Sequence, residues 1–172
     1  LAKRLQQEMS SAVFRIYTNT DVLGVELAAA IKNVIAIAAG IVDGLGLGDN
    51  TKSALLTRGL AEIVVLGTRL GARRKTFFGI AGIGDLMTTA FSPYGRNRAV
   101  GEKLGKGARL EDILANMDAV AEGVTSSRSV VALARKHDVE MPICREVYRV
   151  LFEAKDPKTA LFDLMTRKHR NE

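Results

Sequence analysis

The chain has 172 residues, a net charge of +6, and 47% apolar against 26% charged residues. Such a chain buries one sizeable core, which excludes a disordered polypeptide. Cys144 is its one cysteine and excludes an internal disulfide, and the two histidines, His137 and His169, show no metal-ligand spacing, so no metal site is expected.

The positive charge admits an anionic small molecule or a nucleic acid. With only 5% aromatic residues and no RNA-binding or zinc-type module, a basic helical nucleic-acid module is the weaker alternative. A lone cysteine in an apolar pattern beside Pro142 is expected to be buried and inert, in a protein of the reducing cytosol. The opening LAKRLQQEMS lacks the apolar core of a signal peptide.

Residues 1–9 read as the tail of an amphipathic helix, with Leu1, Leu5 and Met9 on one side. Ser10 and Ser11 break it. Ala12–Tyr17 (AVFRIY) is β-branched and aromatic, the composition of a strand. A lone helix and strand cannot make a sheet. They are expected to end an α/β domain whose remainder lies outside this sequence, giving residues 1–17 to that domain and 18–172 to a second one.

Thr20 or Asp21 suits the cap of a long helix over Val22–Val42, VLGVELAAAIKNVIAIAAGIV. Its length fits a bilayer, but Glu26, Lys32 and Asn33 are costly in lipid, so a buried central helix is expected. An ammonium among apolar neighbours is expensive. Lys32 therefore requires a partner or an open cleft, and marks the centre of a candidate active site.

The run Gly44-Leu45-Gly46-Leu47-Gly48 has the wrong spacing for a dinucleotide fingerprint and follows a helix, not a strand. It reads as a link between helices. Asp49 or Asn50 is expected to cap a helix to Leu70, with Leu55, Leu56, Leu60, Ile63, Val64, Gly67 and Leu70 on one stripe. Arg73, Arg74 and Lys75 read as a solvated turn.

Thr76–Val100 is rich in glycine and hydroxyls and reads as a binding loop, with short helices from about Gly84 and Gly95. Gly79, Gly82 and Gly84 predict close backbone approach or positive φ. Further helices are expected over Leu110–Met117, from Glu122 to Lys136, from Pro142, and from Asp156-Pro157 with Leu161, Leu164 and Met165 inward. His169 falls in a charged, solvated tail. From Asp21 onward the chain reads as all-α.

Three patches place polar groups where apolar patterning would not: Lys32-Asn33, Asp85 with Thr88 and Thr89, and Arg96-Asn97-Arg98. A lysine beside a carboxylate can exchange a proton with a hydroxyl or carbonyl oxygen and stabilise an alkoxide. Arg96 offers a planar fork suited to phosphate, and Asn97 adds neutral donors. Together they suit a small phosphorylated carbonyl or alcohol. Two plainer readings stay open: Lys32 as an ion-pair partner of Glu26 or Asp85, and Arg96 as a surface residue.

Three strings carry a resemblance: IKNVIAIAAGIVDGLGLGDNTKSALLTRGLAEI (31–63), GIGDLMTTAFSPYGRNRAVG (82–101) and AVAEGVTSSRSV (119–130). The chain resembles the NAD(P)-dependent glycerol-3-phosphate dehydrogenases of bacterial type, from about Arg15 to Thr166. The resemblance implies an all-α, 6-phosphogluconate-dehydrogenase-like C-terminal helical domain, preceded by a helix–strand remnant of a Rossmann-like domain.

It further implies that Lys32 is the catalytic acid/base and that Asp85 binds substrate and works with it. Arg96 and Asn97 grip the substrate phosphate, and Gly95 stands where these enzymes often carry a serine. Thr89 is a further active-site hydroxyl. Arg96, Val120 and Glu122 match positions that touch NAD(P)H. The implied reaction passes a hydride between NAD(P)H and C2 of dihydroxyacetone phosphate, giving sn-glycerol 3-phosphate for membrane phospholipid synthesis. A cytosolic homodimer is expected, and the isolated chain should be inactive because the main cofactor-binding unit lies outside it. The alternative within the same class is a 3-hydroxyacid dehydrogenase, which has a comparable lysine but no need of Arg96-Asn97.

Overall fold

A computed structural model describes residues 1–117 and 119–167, so residues 168–172, His169 among them, lie outside the described residues. Its axis is α2 (Val22–Gly44), in which every residue from Val34 to Val42 is buried. An apolar helix of this length also meets the length and composition of a membrane span. Here the apolar surface from Val34 to Val42 is covered by other helices of the same chain, while Val22 and Leu23 at its start stay exposed.

Packed around α2 are α3 (Gly48–Arg69), α4 (Asp85–Phe91), α5 (Arg96–Gly105) and α7 (Glu122–Lys136). α8 (Pro142–Phe152) and α9 (Pro157–Met165) close the far side, α6 (Leu110–Ala115) links α5 to α7, and α1 (Ala2–Met9) stands apart with none of its residues buried. A 3-10 turn over Arg74–Phe78 and a π-helical turn over Ile80–Gly84 lead into α4.

Glycines set the closest contact. A Cβ on Gly40 would lie 2.0 Å from the carbonyl oxygen of Arg98, and one on Gly101 2.0 Å from that of Ile37. Gly40-x-x-x-Gly44 thus faces Gly101-x-x-x-Gly105, and the α2 and α5 backbones touch with no side chain between them. This contact sets how closely the α5 axis approaches α2.

Asp21 caps α2, accepting from Gly24 N at 3.1 Å. It also accepts from Thr76 Oγ1 at 2.7 Å and Arg73 N at 2.8 Å, tying the 3-10 turn to the start of α2. The Thr76 hydroxyl, then the Arg73 N–H, hold its carboxyl below the usual range. The basic run Arg73–Lys75 is exposed, as the sequence suggests. Gly46 and Gly48, at φ +69° and +77°, turn the chain between α2 and α3, confirming a helix link. Gly82 answers the expectation of close approach: its Cβ would meet the Phe77 carbonyl oxygen at 2.1 Å.

Three expectations are corrected. Ala12–Tyr17 forms no strand, and there is no strand among the described residues. A strand needs a ladder partner, and this stretch has none. Instead Ser11 Oγ accepts from Val13 N and Phe14 N, and Ser10 Oγ accepts from Ile16 N, folding the segment back toward α1. Helix α3 is not capped by Asp49 or Asn50: it starts at Gly48, with Asp49 inside the first turn where the helix dipole favours a carboxylate. On α9 only Ala160 is buried; Leu161 and Leu164 are half-buried, with Leu164 packed against the edge of the core, and Met165 is exposed, because this helix also borders a groove.

Candidate active site

Lys32 sits at the middle of α2, its side chain 17% exposed, and its partner is Asp85 rather than Glu26. Nζ lies 2.5 Å from Asp85 Oδ2 and donates to Thr89 Oγ1 at 3.2 Å. Thr89 Oγ1 in turn donates to the Asp85 carbonyl oxygen at 2.7 Å. Asp85 and Thr89 are four apart on α4 and so share one face. The ammonium is thereby held by one carboxylate and one hydroxyl, with a third N–H direction left over.

Arg96 opens α5 and Gly95 caps it. The Arg96 guanidinium is half-exposed and donates to Glu122 Oε1, at the start of α7, at 2.7 Å. Gly95 has an ordinary extended backbone, and a Cβ there would stand 3.1 Å from the Thr89 carbonyl oxygen and 3.3 Å from that of Ser92. Thr88 turns away from the pair and donates to Gly84 O at 3.0 Å.

Asn97 is 5% exposed and serves two partners. Its Nδ2 donates to Asn33 Oδ1 at 3.1 Å, and its Oδ1 accepts from Gly123 N at 2.8 Å. The first turn of α7 rests directly on α2 here, since a Cβ on Gly123 would meet the Asn33 carbonyl oxygen at 2.5 Å. Asn33, Asn97 and Gly123 are the sequence neighbours of Lys32, Arg96 and Glu122. One amide therefore brings the three segments named from sequence to a single junction. Val120 lies just ahead of α7 and is 70% exposed, an apolar surface beside the Arg96–Glu122 pair.

Sequence reasoning missed the support behind these residues. Asp43 accepts from Lys52 Nζ through both oxygens, at 3.0 and 2.8 Å, and from Arg98 Nε at 2.7 Å. A signal existed: Lys52 falls among the inward positions of α3, where a lysine needs a partner. It also missed Glu62, buried on α3, whose Oε1 and Oε2 accept from Ile143 N at 2.7 Å and Cys144 N at 3.2 Å at the start of α8. Burial pushes this carboxyl up to about 7 against the pull of the two N–H groups. Cys144 is fully buried beside it, and burial and the neighbouring carboxylate raise its thiol well above the ordinary value. Glu62 borders a groove of about 1100 Å³ between α3 and the α8–α9 end, where Leu55, Val65, Leu161 and Leu164 also lie. Lys32, Asp85, Arg96 and Asn97 are not part of its wall.

The arrangement is thus a paired lysine able to exchange a proton, and a half-exposed guanidinium able to take an anion. Comparisons with known proteins give the family. Residues 21–162 match the family described as NAD-dependent glycerol-3-phosphate dehydrogenase, C-terminus. Glycerol-3-phosphate dehydrogenase [NAD(P)+] of Chlorobium limicola is 52% identical over 171 residues, covering 99% of this chain and 51% of the relative. That of Geobacter sulfurreducens is 54% identical over 167 residues, 97% of this chain and 50% of the relative. The crystal structure of glycerol-3-phosphate dehydrogenase from Coxiella burnetii superposes with a TM-score of 0.91 at 41% identity, covering 96% of this chain and 51% of that one. The enzyme from Saccharomyces cerevisiae gives 0.86 at 26% identity over 96% of this chain and 48% of its own. The chain spans about half the length of the relatives it matches. It belongs to the NAD-dependent glycerol-3-phosphate dehydrogenase family, as the C-terminal, helical part of such an enzyme.

Proposed function

We propose that this chain is the substrate-binding and acid/base half of an enzyme that interconverts dihydroxyacetone phosphate and sn-glycerol 3-phosphate. The observation that carries the reading is the Lys32–Asp85 pair, 2.5 Å apart, joined through the Asn33–Asn97–Gly123 junction to the Arg96 guanidinium. A bound nicotinamide cofactor supplies the hydride for C2. Lys32 gives its proton to the C2 oxygen and steadies the charge that develops there. Asp85 and Thr89 aim the ammonium, and Asp85 also bears on the substrate hydroxyl. Arg96 takes the phosphate by its planar fork, aided by the remaining Nδ2–H of Asn97 and the backbone at Gly95.

The residues present fit one edge of a nicotinamide cofactor. Val120 offers an exposed apolar surface, and Glu122 and Arg96 border it with polar groups. No strand–glycine turn–helix unit able to cradle a pyrophosphate occurs among the described residues. In this reading residues 1–17 complete a separate Rossmann-like cofactor domain, and residues 18–172 form the helical domain. The exposed Leu1, Met9, Val13, Phe14 and Tyr17 are then surface meant for that domain. A cytosolic homodimer, feeding glycerophospholipid synthesis, completes the proposal.

The test compares the full-length gene product with this chain alone, each given NADH or NADPH and dihydroxyacetone phosphate. The full-length protein is expected to turn over and the chain alone to be inactive. Equal or faster reduction of non-phosphorylated keto acids by the full-length protein would falsify the substrate assignment. Turnover by the chain alone at an ordinary enzymatic rate would remove the need for a separate cofactor domain.

A further inference from the structure

Asp43 lies eleven residues beyond Lys32 on α2, about 16 Å along the helix by its rise. It is too far to touch what Lys32 touches. Yet both arms of the site lean on it.

The first link is Arg98, whose Nε donates to Asp43 Oδ2 at 2.7 Å. Arg98 stands on the first turn of α5, two residues after Arg96. The second link is Lys52, which is 4% exposed and bridges both Asp43 oxygens. Its ammonium also sits 4.5 Å from the centre of the Phe91 ring. Phe91 is the last residue of α4, the helix that carries Asp85 and Thr89. Between Phe91 and Arg96 runs the loop 92–95, closed internally by Gly95 N to Ser92 O at 3.2 Å and Tyr94 N to Ser92 Oγ at 3.3 Å. Tyr94 is 92% exposed and anchors nothing. The loop is thus secured from outside at both ends by groups that converge on one carboxylate.

We propose that Asp43, with Lys52 and Arg98, is the positioning unit of the site: it staples both ends of the 92–95 loop and so sets the spacing between the Asp85–Thr89 arm and Arg96. An ammonium as buried as Lys52 cannot swing away without its counter-ion. Arg98 meets Asp43 through its Nε–H alone, a contact that another cation at this place can replace. Arg98 has a second hold in Glu102, at 3.3 Å, so one turn of α5 is bound as a unit. Loosen the staple, and Arg96 keeps its charge but loses its place. Substrate affinity then falls while proton transfer at Lys32, on the rigid middle of α2, is spared.

The inference rests on the phosphate-site reading above, and the test separates the two. In the full-length enzyme, Asp43→Asn and Arg98→Gln are expected to raise KM for dihydroxyacetone phosphate at least tenfold, with kcat and KM for NAD(P)H within threefold. Arg98→Lys, which keeps a cation facing Asp43, should return KM to within threefold of the parent. In this chain, hydrogen exchange of the amides of Ser92 and of residues 94–98 should quicken at least tenfold in both variants while the amides of α7 and α8 keep their protection. The proposal is overturned if the folded variants keep KM for dihydroxyacetone phosphate within twofold. It is overturned equally if both KM values and kcat move together, if Arg98→Lys is no better than Arg98→Gln, or if exchange quickens everywhere or nowhere. Should the parent enzyme not use dihydroxyacetone phosphate at all, the phosphate-site reading fails by itself, and the exchange pattern still decides the staple.

Discussion

Lys32 Nζ and Asp85 Oδ2 meet at 2.5 Å across the α2–α4 contact, but their burial is unequal: the lysine side chain is 17% exposed and the aspartate 39%. Removing the lysine leaves a carboxylate that water can reach. Removing the carboxylate leaves a mostly buried ammonium with only the Thr89 hydroxyl. Lys32→Met is therefore expected to cut turnover by roughly 10²- to 10⁴-fold with little change in thermal midpoint. Asp85→Asn should lower both turnover and midpoint, by about 1–3 kcal/mol of stability. Steady-state kinetics and thermal melts of the full-length variants check this. Turnover of Lys32→Met within a few-fold of the parent would remove Lys32 from proton transfer.

Arg96 and Glu122 hold each other at 2.7 Å, and each is half-exposed. A surface pair of this kind contributes about 0–1 kcal/mol, so a phosphate can displace the carboxylate. Arg96→Ala should raise KM for dihydroxyacetone phosphate by tenfold or more. Glu122→Gln should move it the other way, by about two- to fivefold, because the guanidinium is released, while KM for the cofactor rises. If both variants shift the same KM in the same direction, Arg96 is not the anion's partner.

How much of this was legible in the sequence follows from the physics of each residue. Lys32 stood out because a cation in an apolar helix is costly, and the structure supplies the carboxylate that the cost demands. Helices α7 and α8 were legible from Glu122 and Pro142 at their starts and from apolar periodicity. The strand at Ala12–Tyr17 was misread because composition reports what a stretch could form, while pairing depends on a partner outside it. Asp43 was silent because it reads as a polar residue before Gly44. Only the return of α5 across the Gly40–Gly101 contact brings Arg98 to it. The Asn33–Asn97 link was silent for the same reason: adjacency in space is set by helix crossing, not by spacing along the chain.

Glu62 gives the fold an unusual pH dependence. Its folded value of about 7 stands above the ordinary 4.5. The folded state binds this proton more tightly than the unfolded one, so the contribution is full below about pH 4.5 and is lost as pH rises through 7. The full shift amounts to at most roughly 3 kcal/mol. The carboxyls of Asp21, Glu102, Asp156 and Asp163 are shifted down instead and act at more acid pH. Between pH 5 and 8 the unfolding free energy of this chain should therefore fall, and Glu62→Gln should flatten that slope whatever its absolute stability. Urea titrations at several pH values read it directly; a rising slope in the parent would contradict the assignment.

Two glycines with different surroundings separate packing from backbone strain. Gly101 has ordinary φ but would place a Cβ 2.0 Å from the Ile37 carbonyl oxygen, with backbone on both sides. Gly107 has φ +91° and nothing within 4 Å. Gly101→Ala must push α5 off α2 and is expected to cost about 3 kcal/mol or more. Gly107→Ala pays only for the left-handed backbone, about 1–2 kcal/mol. Chemical denaturation of both variants tests the order. Equal losses would mean that α2 and α5 do not depend on direct backbone contact.

Residues 1–18 test the domain division. α1 buries none of its residues, and its hydrogen bonds run to its own return segment, Gln6 Nε2 to Ile16 O at 2.8 Å and Ile16 N to Ser10 Oγ at 3.2 Å. The cap on α2 begins later, with Asp21 N donating to Asn19 Oδ1 at 2.9 Å. Deleting residues 1–18 from this chain should thus leave its unfolding free energy within about 0.5 kcal/mol, the range of surface changes that touch no packed group. Solubility should rise, because the exposed Val13, Phe14 and Tyr17 go with the segment. The same deletion made internally in the full-length protein should instead destabilise its N-terminal half, against which the exposed Val13, Phe14 and Tyr17 would pack. A fall of several degrees in the melting point of the shortened chain would place α1 in the helical domain and move the boundary drawn at residues 17 and 18.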